Sequence, residues 1–174
     1  LGLLDRSDGR EGAIDFQRAI GNAGMRLFGK PVEGLSYDAE ANIQFGDNNT
    51  RKHSAWAWAV RADYVYEKKK VQPGGHLGFA MASGESCTGD PSAGEACGAA
   101  NSTEFFNFYP TNHAHYGFVD LMGWWNMRDL EAGVMIAIPK VLKKLEVKYH
   151  FLQLHKADGR WSNVGGVNVG SGWD

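Results

Sequence analysis

Along much of this chain apolar and polar residues alternate one by one, the period at which a β-strand sends successive side chains to opposite faces. The clearest run is Tyr37 to Phe45, where Tyr37, Ala39, Ala41, Ile43 and Phe45 alternate with Asp38, Glu40, Asn42 and Gln44. Before it, Ala23, Met25 and Leu27 oppose Arg18, Asn22 and Arg26. After it, Trp56, Trp58, Val60, Ala62, Tyr64 and Tyr66 oppose Ala55, Ala57, Ala59, Arg61, Asp63 and Val65. The same period sets Leu77, Phe79 and Met81 against Gly78, Ala80 and Ala82, and Leu130, Ala132, Val134, Ile136 and Ile138 against Glu131, Gly133, Met135 and Ala137. A last run puts Leu145, Val147, Tyr149 and Phe151 opposite Glu146, Lys148 and His150. These runs predict about six or seven strands, each with one apolar and one polar or small-residue face.

The run from Trp56 to Tyr66 is long for a soluble strand. A tilted strand that crosses a bilayer needs about 9–11 residues, and Trp or Tyr at both ends supplies an interfacial girdle. The alternative is the buried core of a soluble sandwich, although such a core usually mixes Leu, Ile and Val among its rings.

Punctuation between the runs predicts the connections. Lys30 to Gly34, Lys68 to Gly75 and Pro139 to Lys144 read as compact turns with Pro or Gly. Asp5 to Gly12 and Gly46 to His53 read as polar loops, and Gly84 to Arg128 as one long connection rich in aromatics. Compact connections alternating with longer ones match barrels with short periplasmic turns and longer outer loops, which would put the long loop outside the cell. Leu1 to Leu4 reads as the tail of an element, Lys156 onward is polar and rich in glycine, and Gly170 to Asp174 could open a further strand, so both ends look like the middle of a larger barrel.

A net charge of -2 from balanced acids and bases gives no basic footprint for nucleic acid. Cys87 and Cys97 lie in a Gly/Ser/Ala-rich tract and fit a disulfide closing an exposed loop in an oxidising compartment, or else a pair of free thiols. No basic and apolar leader opens the sequence.

Candidate chemistry is sparse. His113 and His115 would share a face of an extended backbone, as zinc ligands can, yet as polar loop residues they more simply bond local backbone, and no metal is expected. Asp38 with Glu40, and Arg61 with Asp63, lie two apart on strands and read as a wet face rather than an acid and base pair. No phosphate loop and no nucleophile with its base is present, so the expectation is a protein that is not an enzyme and needs no cofactor.

Several segments in order carry a family resemblance: Gly24 to Gly29 (GMRLFG), Tyr37 to Gly46 (YDAEANIQFG), Ala55 to Tyr64 (AWAWAVRADY), Leu77 to Gly84 (LGFAMASG), and Phe108 to His113 (FYPTNH) leading to Tyr116 to Leu121 (YGFVDL). In these the chain resembles the alginate-export family of bacterial outer-membrane β-barrel porins. The resemblance implies an all-β, antiparallel, up-and-down transmembrane barrel, residues 1–174 being one segment of a single barrel domain with a long loop over 84–128. It implies an outer-membrane channel for polar or anionic solutes, possible export of an alginate-like polysaccharide, and outer-membrane lipid as surroundings. The pore-lining candidates on the polar parity are Arg18, Arg26, Asp38, Glu40, Arg61, Asp63, Glu146, Lys148 and His150. Both signs occur among them, which favours a broad polar-solute porin over a pore built only for polyuronate. Tyr109, Asn112, His113 and His115 are the candidates for a constriction loop. The alternatives are a barrel that sheathes or scaffolds protein partners in an envelope complex and a soluble ligand-binding β-sandwich.

Overall fold

The computed structural model describes residues 2–11, 14–49, 51–68, 70–85, 101–107 and 126–155. Seven strands form one antiparallel sheet in the order β1 (Gly2–Glu11), β2 (Ile14–Val32), β3 (Leu35–Asn48), β4 (Arg51–Val65), β5 (Gln72–Ala82), β7 (Met127–Ile138) and β8 (Leu142–Leu154). A two-residue strand, β6 (Asn101–Ser102), lies off this path and pairs in parallel with β4 at Lys52 and His53. None of the described residues is helical. The fold is thus all-β and up-and-down, each strand pairing with its predecessor in the path.

Register carries the alternation of each strand onto its neighbours. Tyr37, Ala39, Ala41 and Ile43 stand opposite Ala62, Val60, Trp58 and Trp56, while Asp38, Glu40, Asn42 and Gln44 stand opposite Arg61, Ala59, Ala57 and Ala55. Leu77, Phe79 and Met81 join the first face, and so do Leu130, Val134, Val147, Tyr149 and Phe151. This apolar face is the exposed one: Met25 is 74% exposed, Leu77 66%, Val134 68% and Tyr149 68%. The opposite face carries the charges, yet there Asp129 is fully buried and Glu131 is 2% exposed. A water-soluble sheet would be arranged the other way round.

The packed centre of the polar face is small. Ala55, Ala57 and Ala59 on β4 and Ala80 and Ala82 on β5 form a floor on which Phe105 and Met127 are buried, with Leu152 and Leu154 beside them. Alanine at these positions keeps the backbone ladder while leaving height above it, and that height is filled by a segment returning from the long connection.

All six predicted connections differ from the structure in their bounds. Asp5 to Gly12 is not a loop: β1 runs through it to Glu11 and pairs along its whole length with β2. Gly46 to His53 shrinks to a hairpin at residues 49–50, because β3 continues to Asn48 and β4 starts at Arg51, and Asn49 takes a φ of 56°. In both cases backbone pairing overrides the turn chemistry of Asp, Asn and Gly, since a ladder satisfies N–H and C=O groups whatever the side chains are. The compact turns are also tighter than predicted, at residues 33–34, 66–71 and 139–141, and Gly34 needs a φ of 82°. Pro31 falls where the β2 and β3 register is irregular, which accommodates its missing N–H. The predicted alternation of compact and longer connections therefore reduces to one long connection, between β5 and β7, at the end shared with the 12–13 and 49–50 links. That connection gives way to β7 at Met127, so Met127 and Arg128 are strand rather than loop. Cys87, Cys97, Tyr109, Asn112, His113, His115 and the stretch from Lys156 onward lie outside the described residues.

Candidate functional site

All nine residues chosen from parity project from the polar face. Arg18 and Arg26 come from β2, Asp38 and Glu40 from β3, Arg61 and Asp63 from β4, and Glu146, Lys148 and His150 from β8. Arg61, Asp63, Glu146, Lys148 and His150 gather into one group, Arg18 falls in a second group across the alanine floor, and Arg26, Asp38 and Glu40 stand apart from both.

The first group is an ion-pair network across β4, β5, β7 and β8. Arg61 meets Glu131 through Nη2 at 2.8 Å and Nε at 3.0 Å. They reach each other over β5 because Gly78 lies between them in register. A Cβ there would stand 3.1 Å from both the Arg61 Cγ and a Glu131 oxygen, tighter than ordinary contact. His76 sits one register step away, with Nδ1 2.9 Å from Asp63 Oδ1 and Nε2 3.0 Å from Glu131 Oε2. Both of its nitrogens face carboxylate oxygens. His150 Nδ1 lies 2.8 Å from Asp129 Oδ2, while Asp129 Oδ1 is buried without a hydrogen-bond partner among the described residues. At the rim Glu146 lies between Lys144 at 2.9 Å and Lys148 at 3.6 Å. Further along the sheet Arg26 pairs with Asp38, and Glu40 accepts a hydrogen bond from Asn42 at 3.0 Å.

The second group is the seat of residues 101–107. Beyond Ala82, β5 no longer covers β4, and Ser83 takes over the edge: its N–H donates to the Trp56 carbonyl at 2.8 Å and its Oγ accepts from the Trp56 N–H at 2.9 Å. The returning segment pairs with the rest of that edge. Phe106 and Gln44 bond reciprocally, the Phe106 N–H donating to Oε1 at 2.9 Å and Nε2 donating to the Phe106 carbonyl at 2.5 Å. His53 Nε2 faces Gln44 Oε1 at 3.2 Å and its Nδ1 faces Ser102 Oγ at 2.9 Å. Because Oε1 can only accept, Nε2 carries the proton and Nδ1 accepts from the Ser102 hydroxyl. That hydroxyl in turn accepts from Asn48 Nδ2 at 3.1 Å. The Arg18 guanidinium lies 4.2 Å from the Phe106 ring centre, and Arg51 pairs with buried Glu85. Residues 101–107 of the long connection thus lie against the polar face, although its four predicted constriction residues are outside the described region.

Parity alone could have added His76 and Glu131 to the candidates, since they share a face with Gly78 and Gly133. Asp129 falls between the predicted loop, which ends at Arg128, and the predicted strand, which starts at Leu130, whereas the strand in fact begins at Met127. Gln44, His53 and Ser102 carry no local signal, since their partners lie 62, 49 and 49 residues away.

The arrangement holds fixed charges of both signs on a wall whose other side is apolar, with a chain segment folded across one end of the charged side. Two triads, Asp63–His76–Glu146 and Asp129–Glu131–His150, have ligand atoms within 4.8 Å of one another, but Arg61 and His76 already take up the Glu131 oxygens.

No match was found among curated proteins or among solved structures. The family model described as Alginate export matches residues 3–172, nearly the whole chain. It covers every strand of the sheet and the connection that folds back onto it, so the chain belongs to the alginate-export family.

Proposed function

We propose that this chain forms wall and inner lining of an outer-membrane β-barrel channel that passes polar or anionic solutes, an alginate-like polysaccharide among them. The observation that carries the proposal is the inverted sheet, with its large apolar side chains exposed on one face and its ion pairs gathered on the other. In a bilayer the apolar face meets lipid and every backbone group of the sheet interior is bonded in the ladder, the condition for crossing hydrocarbon with strands. β4 runs for 15 residues, about 46 Å of strand, so even at a tilt of about 40° it rises about 35 Å and crosses the roughly 25 Å apolar band.

The polar face then lines the path. Its charges are mostly paired within the wall, which suits a lumen of modest field rather than a strongly anion-selective filter. No catalytic role is proposed, and no cofactor. Residues 101–107 narrow the path at the end carrying the long connection.

The test is conductance of the full protein in planar bilayers. An ohmic conductance with weak selectivity supports the channel, whereas a silent barrel would point to the sheath or scaffold role. Lys148→Glu is the selectivity variant of choice. Lys148 stands at the rim with 31% side-chain exposure and has Glu146 as its one ion-pair partner among the described residues, whereas Arg61 is 15% exposed and holds the network together. The expected outcome is a reversal potential displaced toward cation preference in a salt gradient; an unchanged value would remove Lys148 from the lining.

A further inference from the structure

The apolar face is not uniformly covered. Near the end with the compact turns, Ala62, Gly75 and Ala132 leave a depression of about 700 Å³, walled by Leu35, Tyr64, Leu77, Val134, Val147 and Tyr149. The size is that of a ligand cleft. Its exposed surface is almost entirely apolar, although Asp63, His76 and Gly133 border it beside the two tyrosines, and it opens to the outside of the sheet.

The turns beside it are basic. Lys68 and Lys70 lie in the 66–71 turn, and Lys140 and Lys143 lie in or next to the 139–141 turn; all four are exposed and form no ion pair among the described residues. These two turns close the hairpins whose strands β5 and β7 pair directly through Gly75 and Val134. From Gly75 to Val71 is four residues, about 13 Å of strand. An apolar cleft and a cationic crown that far apart match the two ends of one amphiphile. The chain as a whole carries a net charge of -2, so the concentration of lysine at this end is local and not a property of the composition.

We propose that the cleft and the lysines together bind an anionic glycerophospholipid, its acyl chain in the cleft and its phosphate among Lys68, Lys70, Lys140 and Lys143. This rests on the membrane reading above. Lysine recognises phosphate as a point charge and needs no fixed geometry, as turn residues require. The bound lipid would belong to the leaflet at the compact-turn end, which in barrels is the periplasmic one.

The experiment is native mass spectrometry of the full protein in detergent micelles, titrated separately with phosphatidylglycerol and with phosphatidylcholine of the same acyl chains. We expect phosphatidylglycerol to be retained with a preference of about tenfold or more. The quadruple variant Lys68→Gln, Lys70→Gln, Lys140→Gln and Lys143→Gln should lose that preference. Ala132→Phe, which fills the cleft from an exposed position, should lower retention of both lipids. Equal retention of the two lipids by the unaltered protein, or retention insensitive to both sets of variants, would overturn the proposal. Heat-modifiable migration and insertion into vesicles separate the two levels of inference. A protein that inserts but shows no lipid preference removes only this site, whereas one that folds in plain buffer and does not insert removes the membrane reading itself.

Discussion

In the hydrogen-bond chain from Asn48 through Ser102, His53 and Gln44 to Phe106, each donor finds an acceptor; beside Glu131, by contrast, Asp129 Oδ1 is buried without a hydrogen-bond partner among the described residues. Both groups lie on the same face, on either side of the same alanine floor. The first is neutral and joins the sheet to a segment about fifty to sixty residues distant, so its contacts form only when that segment returns. The second is ionic and is assembled by register alone, since Arg61, Gly78 and Glu131 are aligned once the ladder forms. A sheet that must persist uses the contacts that register guarantees. A segment that must find its place uses directional neutral bonds, which can be broken without leaving a buried charge.

The largest effect should come from Glu131→Leu. It leaves Arg61 and His76 on a largely buried surface without their shared carboxylate, and removal of one partner of such a buried pair costs about 3–5 kcal/mol. Equilibrium unfolding in urea from lipid vesicles measures it. A cost below about 1 kcal/mol would mean that water already reaches the pair, as it does surface pairs, and the contrast between the two groups would collapse.

The part of this arrangement visible in the sequence is the part set by local period. Trp56 and Trp58 against Ala55 and Ala57 could be divided between faces without knowing any partner strand, and that division holds. The nine lining candidates follow from it. Connections were less legible because Asp-Gly and Asn-Asn signal a turn without fixing where pairing stops; Asp8-Gly9 sits inside β1. Least legible was the seat of residues 101–107. Ser102 and Phe106 gain their roles from Gln44 and His53, and no periodicity links positions so far apart. Arg61 illustrates the middle ground. Its face was readable, while its partner Glu131 depended on β7 following β5 in the sheet, with the long connection and β6 intervening in sequence.

Gln44→Ala tests whether the seat is local. The substitution removes both bonds to Phe106 and the acceptor of His53, a loss of about 1–3 kcal/mol from the docked segment while the ladder bonds of β3 remain. Limited proteolysis of the connection between residues 83 and 126 should accelerate by about fivefold or more, because cleavage follows the population of the lifted segment. The midpoint of global unfolding should stay near that of the unaltered protein. If both fall together, the segment is integral to the wall and the division between a persistent network and a dockable segment is wrong.

The smallest effect is expected at Asp129, three positions from the long connection and two from Glu131. Among the described residues its Oδ1 is buried without a partner and its Oδ2 is held by His150, whose side chain is 20% exposed. Its register neighbours are Ala80 and Leu152, so the carboxylate stands where apolar packing gives way to ion pairs. Asp129→Leu removes an uncompensated oxygen, extends the apolar packing, and leaves His150 Nδ1 within reach of water. The gain and the loss nearly offset, and stability should change by no more than about 1 kcal/mol in the same urea measurement. Two carboxylates two residues apart on one strand would then differ several-fold in cost, because one is saturated by Arg61 and His76 and the other is not. A loss at Asp129→Leu as large as that at Glu131→Leu would show that Asp129 Oδ1 holds a partner in the assembled barrel, and would make the two groups on this face equally complete.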